Sequence, residues 1–290
     1  GRFTFAGLDA SIAGRIGYTK FWREGLVRKG LFPGLDANGA PMEFEGAEIT
    51  TYDPITKEAI TSLGKSDVKD FLTGGVKLNL SYVIRGGHRV YADAAYVADA
   101  PRFNQAFVSP RTRNSIVPDL KTSKTFAADL NYAYSNSGYD VRVTGYYTTI
   151  KDQSKVMSFY DDAQNSFTNF AMSGMDERHV GVELGFKVPL PVPNLSLQGV
   201  LSYGQYVYTS NPVMYQTYDN SAAIVEETYG VTIPYWKSHP TAEGKTVKHY
   251  VSGTPQFATS LGLAWNKNYW FVDADVDWFD KAYLDMNPLY

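Results

Sequence analysis

Acidic side chains at every second residue can serve a metal, a reaction or the wetted face of a strand. The segment "NYWFVDADVDWFD", Asn268 to Asp280, has that spacing at Asp273, Asp275 and Asp277, with a further acid at Asp280. On an extended chain alternate side chains share a face, so Asp273, Asp275 and Asp277 oppose Trp270, Val272, Ala274, Val276 and Trp278. Ligands at one spacing along one strand cannot wrap an ion, so no metal site is predicted there. The four histidines, His88, His179, His239 and His249, stand at no metal-ligand spacing. "AEGKT" (Ala242–Thr246) ends like a phosphate-binding loop, but His239 stands where that loop needs its first glycine, and no helix follows. No Ser/His/Asp arrangement has a supporting context. The chain is therefore read as no enzyme, with no catalytic residue, no metal and no cofactor.

The elements that carry these residues are strands. The chain has 290 residues, no cysteine, 20% charged residues and a net charge of -3, which gives no electrostatic case for nucleic acid as a partner. Zero cysteines excludes a disulfide framework and thiolate metal sites. Aromatic residues reach 15%, with 22 Tyr and 16 Phe. No apolar run approaches the ~18–20 residues of a spanning helix. Period two prevails over Ala10–Trp22, Gly75–Ile84, His88–Val97, Ser123–Ser135, Tyr139–Lys151, Glu177–Val188, Asn194–Ser210, Thr254–Trp265 and Tyr269–Ala282, with a further strand at Arg2–Gly7. Several match the ~9–11 residues of a tilted membrane strand. Short turns at "RGG", "NSG", "PLPVP" and "NKN" alternate with long links at about 23–74, 98–122, 152–176 and 211–253. Such alternation is what an up-and-down barrel with one short-turn rim and one long-loop rim produces.

The two faces of each strand sort by charge. Val76, Leu78, Leu80 and Tyr82 oppose Lys77, Asn79 and Ser81; Phe126, Ala128, Leu130 and Tyr132 oppose Ala127, Asp129 and Asn131. Val141, Val143, Gly145 and Tyr147 oppose Arg142 and Thr144, and Val180, Val182 and Leu184 oppose Glu183. A Lys or Arg on a lipid-facing midplane costs ~2–4 kcal/mol, so the uncharged side is assigned to lipid. The side with Asp129, Arg142, Glu183, Asp273, Asp275 and Asp277 is assigned to a watery lumen. A water-soluble antiparallel sheet also alternates, but explains neither the strand lengths nor the asymmetry of the links.

"YADAAYVADAPRFNQAFVSPRTRNSIVPDLKTSKTFAADLNYAY" (Tyr91–Tyr134) resembles the barrel of TonB-dependent outer-membrane receptors, keeping the Leu120–Lys121 pair before the next strand but lacking the family's usual acids. "YDVRVTGYYTTIKDQ" (Tyr139–Gln153), "FTNFAMSGMDERHVGVELGF" (Phe167–Phe186) and "WFDKAYLDMNPLY" (Trp278–Tyr290) are similar to later strands of that family. The resemblance covers Phe71 to Tyr290. It implies an all-β, antiparallel up-and-down transmembrane β-barrel of about 22 strands, plugged by a globular domain. This chain is then expected to be a partial barrel, with the plug domain and the final strands outside it. The resemblance further implies a Gram-negative outer membrane with its lipids as surroundings, and contact with the TonB complex through the plug. It leaves open a surface lipoprotein that caps the barrel.

Function is read as binding of a nutrient ligand (siderophore, vitamin, glycan or peptide) by the long outer loops, followed by TonB-driven import. Long loops carry ligand contacts on such scaffolds, and polar aromatics concentrate in them here. The candidate ligand-binding residues are Arg102, Phe103, Arg111, Arg113, Tyr160, Asp161, Asp162, Asn169, Tyr218 and Trp236. A porin-like passive channel or a surface adhesin barrel is the alternative.

Overall fold

The computed structural model describes residues 1–25, 51–52, 59–60, 64–110, 113–219, 224–285 and 288–289. They form one antiparallel, 12-stranded sheet and a few two-residue ladders. In chain order its principal strands are β1 (Arg2–Phe5), β2 (Leu8–Phe21), β3 (Lys69–Val83), β4 (His88–Asp99), β5 (Ser123–Asn136) and β6 (Tyr139–Asp161). They continue as β7 (Ser166–Pro189), β8 (Leu195–Tyr208), β9 (Val213–Tyr218), β10 (Phe257–Lys267) and β11 (Trp270–Asp280). Each pairs with the next in sequence, except that β9 leaves the path to pair with β7, and β8 then pairs with β10. β1 and β11 are the two ends of the path. The nine predicted strands and the additional Arg2–Gly7 strand are all present.

One rim carries only tight turns. Ala6–Gly7, Ser137–Gly138 and Asn268–Tyr269 each place both residues at positive φ. This is the two-residue geometry whose twist matches that of the flanking strands.

Register fixes which side chains share a face. One row across the sheet is Leu78, Ala94, Ala128, Tyr147 and Val180; the adjacent row on the other face is Asn79, Asp93, Asp129, Tyr146 and Gly181. The apolar row is the outward one: Leu130 is 61% exposed, while Asn131 beside it is 3% exposed. Likewise Leu80 is 50% exposed and Ser81 is 3% exposed. The uncharged face acquires ionisable groups only near the strand ends, at Lys20, Asp70, Lys124, Lys151, Arg178 and Asp280 toward the long-loop rim and at His88 and Lys267 toward the short-turn rim. Polar inside and apolar outside is the pattern of a barrel wall in lipid.

The link predicted over 152–176 is different. β6 and β7, with 23 and 24 residues, continue as strands through it and leave only Asp162–Asn165 as a turn. At ~3.4 Å per residue this hairpin is roughly 75 Å long, against the ~25 Å apolar band of such a barrel, so its distal half stands above the wall. The period breaks because the register shifts between Ile150 and Ser154, where Gly174 has φ +73° and Asp152 φ +57°. A bulge of this kind re-aims the side chains beyond it.

Candidate functional site

Above the bulge the hairpin and β9 form a small three-stranded sheet buried on both sides, with Thr168 through Ser173 all inaccessible. One side packs Phe170, Met172 and Met214 against Met175, Tyr208, Ile233 and Trp236, the last two from the link after β9. The other side packs Ala171 and Tyr215 against Val108 and Val117 of the link between β4 and β5. This crown holds the apolar core of the molecule. Of the buried hydrophobic residues, almost all lie in it, and the wall below contributes little.

Hydrogen bonds stitch the same layers. Gln216 donates to Asp161 at 2.5 Å and to Thr168 at 3.0 Å, and it accepts from Thr228 at 2.6 Å. Asn169 donates to Asp219 at 3.1 Å and Ser109 at 3.3 Å, and accepts from Ser158 at 2.6 Å. Asp161 also accepts from the Ala163 amide at 3.0 Å, which closes the hairpin tip. At the crown's other edge the half-buried Arg23 donates to Asn114 at 2.8 Å and to the carbonyls of Pro110 and Arg113, and lies 4.4 Å over the Phe107 ring. Burial lowers the pKa of that guanidinium, and its donors are directed at neutral oxygens.

The predicted ligand residues divide by where this packing puts them. Arg113, Asp161, Asn169 and Trp236 are buried, and their contacts are with the crown's own elements. Arg113 donates to Ser115 at 2.6 Å. Arg102, Phe103, Tyr160 and Asp162 are exposed, Tyr218 is half-buried and bonded to Gln164, and Arg111 lies outside the described residues. Phe103 stacks edge-on to Phe107 and Phe21, and Tyr160 edge-on to Phe167. The exposed group thus lies over the loop between β4 and β5 and at the hairpin tip.

Composition alone did not single out the polar crevice behind the last strand. After β11 the chain folds back on the crown: Gly253 donates to the Tyr283 carbonyl at 3.1 Å, and Tyr283 stacks on Tyr250 with centroids 4.5 Å apart. Lys155 donates to Asp285 at 2.6 Å, and Ser252 donates to it too. Burial alone would raise the Asp285 carboxyl, but the hydrogen bonds from Lys155 and Ser252 outweigh it and hold it below the usual carboxylate range. His249 lies edge-on to Trp236, and burial, with His239 nearby, lowers its pKa.

Below the crown, the polar face of the sheet carries the other predicted residues. Arg142, Glu183 and Asp277 line one concavity of about 700 Å³ with Thr144, Ser202 and Ser260. Thr144 donates to Asn131 at 2.6 Å, and Asn131 donates to Asp129. Asp273, Asp275 and Asp277 are exposed on β11, the end strand of the sheet. The Tyr146 ring lies across Gly181 and Gly204, where an added Cβ would come within 2.4 Å and 2.8 Å of its hydroxyl oxygen. Larger residues at either position would push Tyr146 out of its bond to Tyr206.

An antiparallel sheet with an uncharged outer face, a polar concave face, one short-turn rim and a folded crown on the other defines part of a transmembrane β-barrel receptor wall. The model of the TonB dependent receptor-like, beta-barrel family matches residues 59–288, and the chain belongs to that family. Members of the family are receptors and transporters rather than enzymes, and are normally found in the Gram-negative outer membrane. Among solved structures the fold is similar to that of "Copper transporter OprC", with a TM-score of 0.52 and 14% identity. That similarity covers 79% of this chain and 31% of the transporter, so this chain spans about a third of its length. No curated protein matches.

Proposed function

We propose that this chain is the crown-bearing part of a receptor that captures a nutrient outside the outer membrane and imports it under TonB drive. The observation that carries this reading is the change along one hairpin. β6 and β7 leave an apolar face exposed at the wall, whereas above Asp152 and Gly174 β7 is covered on both faces. A passive pore needs no folded domain standing on its rim, whereas a receptor needs a rigid platform that presents ligand contacts. In this reading Arg102, Phe103, Tyr160 and Asp162 form the exposed ligand-binding face. Arg113, Asp161, Asn169 and Trp236 hold it in shape. Asp129, Arg142, Glu183, Asp273, Asp275 and Asp277 face a lumen filled by a plug domain, and further strands outside this chain complete the barrel.

The test is growth of a strain lacking the receptor on a panel of iron chelates, vitamins, glycans and peptides, with and without a working TonB protein. Import is expected to fail for the same nutrient in both the receptor-null and the TonB-null strain. Uptake that persists without TonB would replace this reading with the porin-like channel. No uptake defect together with lost surface attachment would replace it with the adhesin.

A further inference from the structure

The small crown sheet has one edge that the described chain leaves open. Its order is β6, β7 and β9. The outer edge of β9 is covered: Val213 and Met214 pair with Thr232 and Val231, and Thr217 pairs with Ile224. Val225 and Gly230 also donate to the carbonyls of Gln216 and Met214. The outer edge of β6 is different. β5 covers it only from Tyr139 to Lys151, and beyond that β6 pairs with β7 alone. The Val156 N–H points away from β7, because it donates to the side-chain carbonyl of Gln105. By strand alternation the N–H and C=O of Ser158 and Tyr160 point the same way. Among the described residues neither pair of groups has a partner. Ser158 is exposed and Tyr160 is 46% exposed, so water reaches this edge.

We propose that this edge takes the nutrient as an added strand, and that the nutrient is a short extended peptide. The proposal rests on the capture reading above and names the substrate class for it. Native sheets blunt an exposed edge with charge, proline or a bulge. Val156 to Tyr160 contains no charge and no proline, and the adjacent Lys155 is held by Asp285 of the 281–285 strap. Only a polypeptide repeats donor and acceptor at the roughly 6.8 Å spacing of alternate strand residues. The edge runs roughly 14 Å from Val156 to Tyr160, the length of about four or five residues. That suits a peptide, whereas a stable protein partner needs about 20–30 residues a side. The exposed capture residues lie along the same edge. Tyr160 is part of it and Asp162 follows its end, while Arg102 and Phe103 belong to the turn whose Gln105 is bonded to Val156. Main-chain bonds supply affinity for any sequence, and these side chains supply preference.

The test uses the full-length receptor in detergent. The probes are pools of synthetic tetra- to hexapeptides, with neutral oligosaccharides and ferric chelates as controls. At least one peptide pool is expected to slow amide hydrogen exchange in the 154–161 segment about ten-fold or more. Ser158→Pro removes an N–H that faces away from β7, so no ladder bond is lost and the strand tolerates it. The variant is expected to weaken the bound peptide about ten-fold while the near-UV spectrum of the crown stays unchanged. Methylating one backbone nitrogen of the peptide at a time should weaken binding at alternate positions only. This series needs only the native receptor, so it decides the matter even where the proline variant misfolds. Exchange that no peptide pool slows would overturn the proposal, as would a saccharide or chelate that slows it in place of peptides. So would a flat methylation series, or protection that rises with receptor concentration and needs no peptide, which would mean pairing with a second copy. None of these failures touches the TonB-dependent growth phenotype, so a wrong substrate class and a wrong receptor assignment are told apart.

Discussion

The wall and the crown are built from the same two strands and obey opposite rules. In the wall, Leu80, Leu130, Val182 and Leu261 turn outward, and the inaccessible positions are Ser81, Asn131 and Thr144. In the crown, Phe170, Met172 and Met175 are inaccessible, with the layers closed over them as in a water-soluble domain. The wall draws its stability from contact with hydrocarbon and from ladder hydrogen bonds that pair the backbone of each strand with its neighbours. The crown gains its own by removing apolar surface from water. The irregularity at Asp152 and Gly174 is the border: one extra residue in each strand bends the hairpin there without interrupting it, and beyond it both faces of β7 are covered.

This contrast breaks first in the crown. Phe170→Ala removes a ring from the fully enclosed layer against Met157 and Trp236 and is expected to cost ~3–5 kcal/mol. Near-UV circular dichroism and protease nicking should show the crown opening, while the barrel keeps its heat-resistant migration on a gel. Leu130→Arg is the converse, expected to destabilise the wall by ~2–4 kcal/mol in lipid vesicles with the crown's spectrum unchanged. If Leu130→Arg were tolerated and Asn131→Leu were stabilising, the sidedness of the sheet would be wrong.

A matched pair sharpens the comparison further. Ala171→Leu overfills the layer beneath Val108 and Tyr215 and is expected to cost ~1–3 kcal/mol. Ala128→Leu makes the same chemical change on the lipid-facing row, where it is flanked only by its cross-strand neighbours Ala94 and Tyr147 and no second layer covers it among the described residues, and is expected to be neutral or slightly stabilising. Equilibrium urea unfolding of both variants in the same vesicles reads the difference.

The wall could be read in the sequence because period two is a local signal. Val76–Tyr82 and Phe126–Tyr132 state their faces within a few residues, and the turns at Ser137–Gly138 and Asn268 mark where the chain reverses. The crown could not be read this way. "TNFAMS" (Thr168–Ser173) is buried on both faces, so it alternates in nothing, and the bulge beside it shifts the phase just where a strand would have been recognised. Buried polar groups misled in the same manner. Asp161 and Asn169 in a polar, aromatic link look like ligand contacts. Their partners, Gln216, Asp219, Ser109 and Ser158, come from the same link or from others up to 60 residues away, and only the fold brings them together. The strap at Asp285 depends on Lys155, 130 residues earlier, and no local pattern records it.

The smallest effect concerns pH and again separates the two regions. His249 has its pKa lowered by burial within the crown, so across the window below its ordinary value the unfolded state binds the proton that the folded crown resists. Stability from this group is therefore fully present above about pH 6.5 and is lost as pH falls through the lower, folded value. Asp285 is also depressed, and its contribution is present above about pH 3.9 and lost only as pH falls further, when the ties to Lys155 and Ser252 go. The crown should loosen in two stages on acidification, the histidine first, and His249→Phe should remove the first stage alone. The lipid-facing rows midway between the two rims carry no ion, so the wall's fit to the bilayer has nothing to titrate there. Thermal melts at pH 8.0, 5.5 and 3.5 (all about these values) should then move the near-UV crown signal before the gel-shift signal of the barrel. A simultaneous fall of both signals at the first step would mean that the crown and the wall unfold as one unit.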